Sequence, residues 1–250
     1  MGSDPKPATS TQPEIRILAT PPELFHAAAD ELIDQAVAKN GKFSVALSGG
    51  STPKSLYGLL AGEKRNVVPW EKIYFFFGDE RHVHPDHPES NYRMANESMF
   101  SKVPVRPENI FRVHAEEDAA QAARNYEQTL RAFFSLKPNE FPRFDLVLLG
   151  MGPDGHCASL FPGSTALTEQ RRLVVANWVE KFKTFRITMT FPMLNHAACV
   201  MFLTSGTDKS TMLQEVLENE NADLPCQRVH PINGRLLWMV DQAAASGLAR

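Results

Sequence analysis

Length, composition and charge place this chain among ordinary globular proteins and exclude several classes of partner. It has 250 residues, 43% of them hydrophobic and 22% charged, so it is neither a disordered nor a collagen-like chain. Its 26 basic and 29 acidic residues give a net charge of -3, which supplies no basic field for nucleic acid or an anionic membrane. No apolar run approaches the ~18 residues of a membrane span. From the charge and the absence of such a run, we expect neither a nucleic-acid nor a membrane partner.

The cysteine pattern indicates a reducing compartment. Cys157, Cys199 and Cys226 are too few and too scattered for a disulfide framework, and no C-x-x-C pair is present for zinc or redox chemistry. The N-terminal sequence also lacks the apolar segment of a secretory signal peptide. We therefore expect a cytoplasmic protein that folds without disulfides or a metal.

The chain divides into a polar tail and one domain. Residues 1–13 are rich in Pro, Ser and Thr and cannot bury enough apolar surface to offset the entropy of ordering, so a disordered tail is predicted. Residues 14–250 contain no fixed-period repeat, low-complexity block or linker. Their length fits a single large domain.

Helical and strand patterns alternate from Thr20 onward. Apolar residues recur at helical spacing between Thr20, which precedes two prolines, and Gly41. Further helices are predicted at 55–60, 91–99, 119–134 and 209–218. Short apolar runs predict strands at 43–47, 73–77, 144–149, 172–176, 186–190, 198–203 and 236–240. This alternation predicts an α/β domain with a mostly parallel sheet and helices on both faces.

Three of the predicted strands end in polar sequences that contain glycine, at 48–53, 78–81 and 150–156. Ligands of such sheets bind outside the carboxyl ends of the strands, so these loops are expected to meet at one rim. In the first loop, Ser48, Gly49 and Gly50 precede a helix, and glycine amides at a helix N-terminus can cradle a phosphate. By itself this loop is equally compatible with an ordinary strand-to-helix turn.

The second loop, Gly78-Asp79-Glu80-Arg81, combines two acids with an arginine. Arginine can bind phosphate or carboxylate through two parallel hydrogen bonds, although an internal salt-bridge network explains the cluster as well. The histidines that follow, at positions 82, 84 and 87, superficially resemble a metal site. Two prolines interrupt the segment and no recognised ligand spacing occurs, so no metal site is expected.

The third loop matches the dinucleotide fingerprint G-x-G-x-x-G at 150–155. Pro153 and Asp154 occupy the turn where a pyrophosphate needs free amides and little negative charge, which disfavours a dinucleotide site. The alternative is that Asp154 orients His156, whose ordinary pKa of ~6.5 suits a base that activates water near neutral pH. A purely structural histidine is a further interpretation.

Two more basic residues follow or begin predicted strands. Lys209 opens a helix directly after an apolar strand, a position suited to a second phosphate-binding cation, although a solvated lysine would look the same. Arg186 begins the strand at 186–190 and is a second candidate of this kind.

Taken together, these segments resemble the 6-phosphogluconolactonase family, within the superfamily that also contains glucosamine-6-phosphate deaminases. The resemblance covers residues from about 15 to 245. It lies in the ordered motifs LSGGSTP (47–53), GDER (78–81), SNY (90–92), LGMGPDGH (149–156), ASLFP (158–162), RITMT (186–190), GTDK (206–209) and LWMVD (237–241).

The resemblance implies a doubly wound, Rossmann-like α/β fold. It also implies hydrolysis of 6-phospho-D-glucono-1,5-lactone to 6-phosphogluconate, in the oxidative pentose phosphate pathway. It implies no metal, no organic cofactor and no obligate protein partner. His156 is implied as the general base that deprotonates water, and Asp154 as its partner. The implied phosphate-binding residues are Ser48, Gly49, Gly50, Arg81 and Lys209, together with Arg186 and Asn91.

Two alternatives within the superfamily are less consistent with the sequence. Deaminases typically carry Ile-Ala-Phe-Asn-Glu after the histidine and use that glutamate, whereas Cys157-Ala-Ser-Leu-Phe-Pro162 stands here. A sugar-phosphate sensor that regulates transcription needs a DNA-binding segment, and residues 1–13, ahead of the domain, are too few to form a helix-turn-helix. Cys157 and Cys226 depart from the family pattern, which usually has threonine and alanine at these positions.

Overall fold

The computed structural model describes residues 12–249. Of the tail predicted at 1–13, only Gln12 and Pro13 fall within this range, and both are exposed. The described residues contain nine strands: β1 (Glu14–Leu18), β2 (Phe43–Leu47), β3 (Ile73–Phe77), β4 (Asp79–Arg81), β5 (Leu146–Leu149), β6 (Val174–Val179), β7 (Thr184–Met189), β8 (Cys199–Thr204) and β9 (Arg235–Asp241).

This range contains six α-helices, and all but the short helix at 191–195 overlap a helix that the sequence predicts. They are α1 (Pro21–Ala38), α2 (Ser51–Ala61), α3 (Asn91–Ser98), α4 (Ala119–Phe133), α5 (Phe191–Asn195) and α6 (Ser210–Glu218). Thr20 caps α1 by accepting a hydrogen bond from the amide of Glu23, as expected of a threonine ahead of a helix. None of these helices is long and apolar enough to cross a membrane.

Six strands form one parallel sheet in the order β1-β9-β8-β5-β2-β3. Every residue of β2, β5 and β8 is buried, so both faces of the central sheet are covered. The edge strand β1 differs, because its Ile15 and Ile17 are exposed. The predicted α/β architecture with a mostly parallel sheet is confirmed.

The predicted strands at 172–176 and 186–190 exist as β6 and β7, but they lie outside the parallel sheet. They form a separate antiparallel sheet in the order β4-β7-β6. The interpretation of residues 78–81 as a loop was wrong for 79–81, which are strand β4. Gly78 marks the change of sheet: its amide binds the carbonyl of Leu47, whereas its carbonyl accepts the amide of Met189.

The strand order reverses between β2 and β5. From β2 the chain continues to β3 on one side, and β5 then pairs with β2 on the other side. Such a reversal opens a crevice at the carboxyl ends of the two strands, where ligands of open α/β sheets bind. The loops at 48–50 and 150–156 follow these two strands.

Candidate active site

A cavity of about 190 Å³ lies at this reversal point, and we call it the switch-point cavity. The three predicted loops all contribute to it, so they do meet at one rim. The lining residues come from the loops after β2 and β5, from β4 and from the start of α3: Ser48, Gly49, Gly50, Asp79, Arg81, Asn91, Gly150, Met151, Gly152, His156 and Ala158.

The side chains of Asp154 and His156 form a dyad at the edge of this cavity. Asp154 Oδ1 lies 2.5 Å from His156 Nδ1, and both side chains are partly exposed. Burial acts to raise the pKa of Asp154, but the hydrogen bond with His156 and the charge of that ring outweigh it and lower the pKa. An ionised carboxylate only accepts hydrogen bonds, so the proton sits on Nδ1. The other ring nitrogen, Nε2, is left as the basic atom.

The tight turn of the third loop positions this dyad. The amide of Gly152 donates to the carbonyl of His156 at 2.9 Å, and Gly155 has a φ of +73° that favours glycine. A Cβ added at Gly152 would overlap the imidazole of His156. The ring of Phe161 stacks on that imidazole with 4.1 Å between centroids. The turn and Phe161 therefore restrict the ring from two sides.

A lysine that the sequence did not single out completes the surroundings of Asp154. Lys181 Nζ lies 3.7 Å from Asp154 Oδ2, the oxygen that His156 does not use. Lys181 is largely exposed and comes from the turn between β6 and β7. No local motif marks this position, because the contact depends on how the antiparallel sheet lies against the third loop.

The first loop offers backbone groups to the cavity. Gly50 has a φ of +106° and precedes α2, which starts without a side-chain cap. The first amides of a helix have no intrahelical partner, so they are suited to an anion. Tyr57 already satisfies the Ser48 backbone, since its hydroxyl donates to the Ser48 carbonyl and accepts the Ser48 amide. The amides from Gly49 onward are therefore the better donors for a ligand.

Two arginines lie opposite each other on neighbouring strands. Arg81 and Arg186 are register partners in β4 and β7, and Arg81 lines the cavity. The guanidinium of Arg186 makes no hydrogen bond or ion pair with any described residue and lies over the Phe182 ring. Burial lowers the pKa of Arg186, and the positive charge of Arg81 lowers it further. Two neighbouring guanidinium groups without an ion pair to any described residue are suited to an anionic ligand.

Asn91 contacts Asp79 and the first loop. Its side-chain nitrogen donates to the Asp79 carbonyl at 2.9 Å, and a Cβ on Gly49 would overlap the Asn91 side chain. Glu80 stabilises the backbone at the end of β4 and the start of α3, because its carboxylate accepts hydrogen bonds from the amides of Arg81, Asn91 and Tyr92. Burial nevertheless raises the pKa of Glu80. The two acids of the second loop are thus internal acceptors for backbone and side-chain donors.

Lys209, like Asp154 and Arg186, is a predicted site residue that does not line the switch-point cavity. Its Nζ lies 3.6 Å from Asp208, and about a quarter of its side chain is exposed. The preceding loop is held by Asp241, which accepts the Gly206 amide. A phosphate contact of Lys209 stays a prediction.

The histidines that follow the second loop contact different partners. His82 contacts the carbonyl of Glu117, and His84 lies near Asp86. Within residues 12–249, no group of three or more His, Cys, Asp or Glu side chains is arranged to hold a metal ion.

Two buried cysteines lie directly behind the dyad. The amide of Cys226 donates to the carbonyl of Gly155 at 3.0 Å, and its sulfur contacts the carbonyl of His156. Burial raises the pKa of the Cys226 thiol, and the neighbouring Cys157 adds to this effect. All three cysteines are free. Both departures from the family pattern therefore lie in the packing behind the loop, and neither cysteine lines the switch-point cavity.

Comparisons with known proteins identify the family of this chain. The family model of glucosamine-6-phosphate isomerases/6-phosphogluconolactonase matches residues 19–238. A 6-phosphogluconolactonase of Nostoc sp. is 44% identical over 87% of this chain and 89% of its own length. One of Synechocystis sp. is 43% identical over 86% of this chain and 89% of its own length. The structure of 6-phosphogluconolactonase from Trypanosoma cruzi, 31% identical, superposes with a TM-score of 0.86 over 98% of this chain and 100% of that chain. The chain belongs to the glucosamine-6-phosphate isomerase/6-phosphogluconolactonase family, in its 6-phosphogluconolactonase branch.

Proposed function

We propose that this protein hydrolyses 6-phospho-D-glucono-1,5-lactone to 6-phospho-D-gluconate, a step of the oxidative pentose phosphate pathway. The observation that carries the proposal is one cavity that combines a histidine backed by a carboxylate with an end rich in anion donors. A phosphorylated lactone needs both features. Its phosphate requires cations and amides, and its carbonyl carbon requires an activated water.

In this proposal the phosphate binds at the first loop. The amides that follow Ser48, at Gly49 and Gly50, supply neutral donors, while Arg81 and Arg186 supply positive charge. Asn91 acts on this end through its contacts with Asp79 and Gly49. Anchoring the phosphate holds C1 of the lactone near His156, which replaces a random encounter by a fixed orientation.

His156 then acts as the general base. Its Nε2 takes a proton from water as the water oxygen bonds to C1, and the carbonyl electron pair moves onto oxygen. When the tetrahedral intermediate collapses, the bond between C1 and the ring oxygen breaks, and the imidazolium returns its proton to that oxygen. Asp154 stabilises the imidazolium and keeps the ring in the required tautomer. The cycle consumes one water and regenerates the free base.

The mechanism requires neither a metal nor an organic cofactor. The small-molecule substrate is its only required partner. The cytoplasmic location that we propose rests on the three free cysteines, which fit a reducing compartment.

The decisive experiment measures hydrolysis of freshly prepared lactone in excess EDTA, corrected for the spontaneous rate. We expect His156→Ala to lower kcat by roughly 10²- to 10⁴-fold, the usual contribution of a general base. His84→Ala, at an exposed histidine, serves as the matched control and should retain activity. Equal activity of His156→Ala and the parent protein would refute the mechanism.

The same assay separates the binding residues from the dyad. Arg81→Ala should mainly raise KM, because its charge acts on the phosphate in the ground state and the transition state alike. Lys209→Ala tests whether that side chain reaches the phosphate although it lies off the cavity wall. Absence of any turnover of the lactone by the parent protein would overturn the proposed function, and glucosamine 6-phosphate would be the next substrate to assay.

A further inference from the structure

Asp79 is a buried carboxylate on the cavity wall that the proposed mechanism does not use. Only 7% of the residue is exposed, and it makes no ion pair with any described residue. The charge of Asp79 favours the charged form of the nearby Arg186, but no ion pair joins the two side chains. A buried carboxylate without a direct ion-pair partner is costly. Its presence beside a ligand cavity therefore requires an explanation.

The hydrogen bonds of Asp79 fix its orientation but leave acceptor capacity unused. Ser159 Oγ donates to Asp79 Oδ2 at 2.6 Å, and Asn91 Nδ2 lies 3.3 Å from Oδ1. A carboxylate has about four lone-pair positions, so about two of them have no protein donor. Asp79 is thus held in place and can still accept a hydrogen bond from a ligand.

The support behind Asp79 continues into the antiparallel sheet. The amide of Ser159 donates to Thr188 Oγ1 at 3.2 Å, and Asn177 Nδ2 donates to the Ser159 carbonyl at 2.9 Å. Both Thr188 and Asn177 are fully buried. A carboxylate positioned through two buried layers keeps one orientation when a ligand arrives, which favours selective recognition.

We infer that Asp79 accepts a hydrogen bond from a sugar hydroxyl of the ligand and thereby selects a polyhydroxylated phosphate ester over bare phosphate. Phosphate oxygens carry lone pairs and negative charge, so a carboxylate repels them, whereas a hydroxyl donates. In the substrate proposed above, hydroxyl-bearing carbons join the phosphate to the reactive carbonyl. Asp79 shares a cavity wall with Arg81 and His156, the residues assigned to these two ends. The inference rests on the proposed function for the identity of the sugar.

Binding of two competitive probes, glucose 6-phosphate and inorganic phosphate, tests this inference. Glucose 6-phosphate keeps the hydroxyls and is neutral at C1, so the charge of a product carboxylate does not interfere. We expect Asp79→Asn to weaken glucose 6-phosphate binding by roughly 10- to 100-fold, the range for hydrogen bonds to a charged group. Inorganic phosphate should bind equally well or more tightly, because a negative charge is removed. Asp86→Asn removes the same charge at an exposed position and should change neither affinity.

Equal weakening of both probes, or no change for glucose 6-phosphate, would overturn the inference. If Asp79→Asn does not fold, Ser159→Ala keeps the carboxylate but removes its strongest orienting hydrogen bond. It should weaken the binding of glucose 6-phosphate a few-fold while leaving phosphate binding unchanged, and an unchanged ratio of the two affinities would again contradict the inference.

Lactone turnover by the parent protein is measured separately, because it tests the proposed function. A parent that hydrolyses the lactone, with Asp79→Asn binding glucose 6-phosphate normally, refutes only the role of Asp79. A parent that binds the probes selectively without hydrolysis refutes only the proposed function.

Discussion

Two glycine-rich loops follow neighbouring strands of the same sheet, yet they present different chemistry to one cavity. The loop after β2 offers the backbone of Gly49 and Gly50 and the uncapped start of a helix. The loop after β5 offers side chains, the imidazole of His156 backed by Asp154. In the proposed mechanism, the first of these strand ends binds the anion and the second transfers the proton.

The glycines of the two loops also differ in what they permit. Gly49 leaves space for the side chain of Asn91, which comes from another element, whereas Gly152 leaves space for His156 of its own loop. Gly155 provides a backbone conformation with positive φ. These roles account for a G-x-G-x-x-G match without a dinucleotide, since two of its three glycines serve the histidine turn.

Of the substitutions that test the difference between the two loops, removal of the Asp154 carboxylate should lower kcat most. Asp154→Asn leaves the volume of the side chain unchanged but removes the charge that stabilises the imidazolium and selects its tautomer. We expect kcat to fall by roughly 10²- to 10⁴-fold with little change in KM. Steady-state kinetics on the lactone measures both quantities. A rise in KM alone would assign Asp154 to binding and would remove the distinction between the loops.

The lowered pKa of Asp154 predicts that the stability difference between this variant and the parent depends on pH. Because the pKa of Asp154 is lowered in the folded protein, the ionised form stabilises the fold above the ordinary value of 3.8. This contribution is lost as the pH falls through the lowered pKa. The free energies of unfolding of Asp154→Asn and the parent should therefore differ at pH 7, and the difference should shrink as the pH falls below 3.8 through the lowered pKa. A difference that grows toward acid pH would contradict the direction of the shift.

Substitution of Gly152 should have the next largest effect. The added Cβ of Gly152→Ala overlaps the His156 ring, so the ring has to move from its position against Asp154. We expect kcat to fall by roughly 10- to 100-fold while substrate affinity changes little, since a displacement of about 1 Å can cost this much. Gly58→Ala is the control, because a Cβ there meets nothing within 4 Å and alanine favours the helix. Comparable losses in both variants would show that the effect is not local to the dyad.

Substitution of Gly49 should have the smallest effect and a different kinetic signature. The added Cβ of Gly49→Ala displaces Asn91, which contacts Asp79 and the first loop but lies away from the dyad. We expect KM to rise about 3- to 10-fold with kcat nearly unchanged, as for a loss of uniform binding. Kinetics with the lactone, together with the affinity for inorganic phosphate, distinguishes this result. Loss of kcat at constant KM would mean that the two loops are not separate in function.

The sequence allowed much of the parallel sheet to be predicted. The apolar runs at 43–47 and 73–77 coincide with β2 and β3 to the residue, because strands buried on both faces consist almost entirely of apolar residues. The start of α1 could be predicted as well, since Thr20 and the prolines that follow form a local signal. The pairing of β7 with β4 and β6 could not be predicted, because a short apolar run does not specify its partner strand.

The same division holds for the site. The sequence determined the chemistry within each loop, the glycine turns and the proximity of Asp154 to His156, because residues two apart on a tight turn meet locally. Only the tertiary structure decided which distant groups join them. It placed Arg186 opposite Arg81, and it brought Ser159 within hydrogen-bond distance of Asp79 and Lys181 near Asp154. Lys209, by contrast, does not line the cavity. These contacts join residues from 27 to more than 100 positions apart, for which no local pattern exists, and they depend on how the two sheets pack around the crevice.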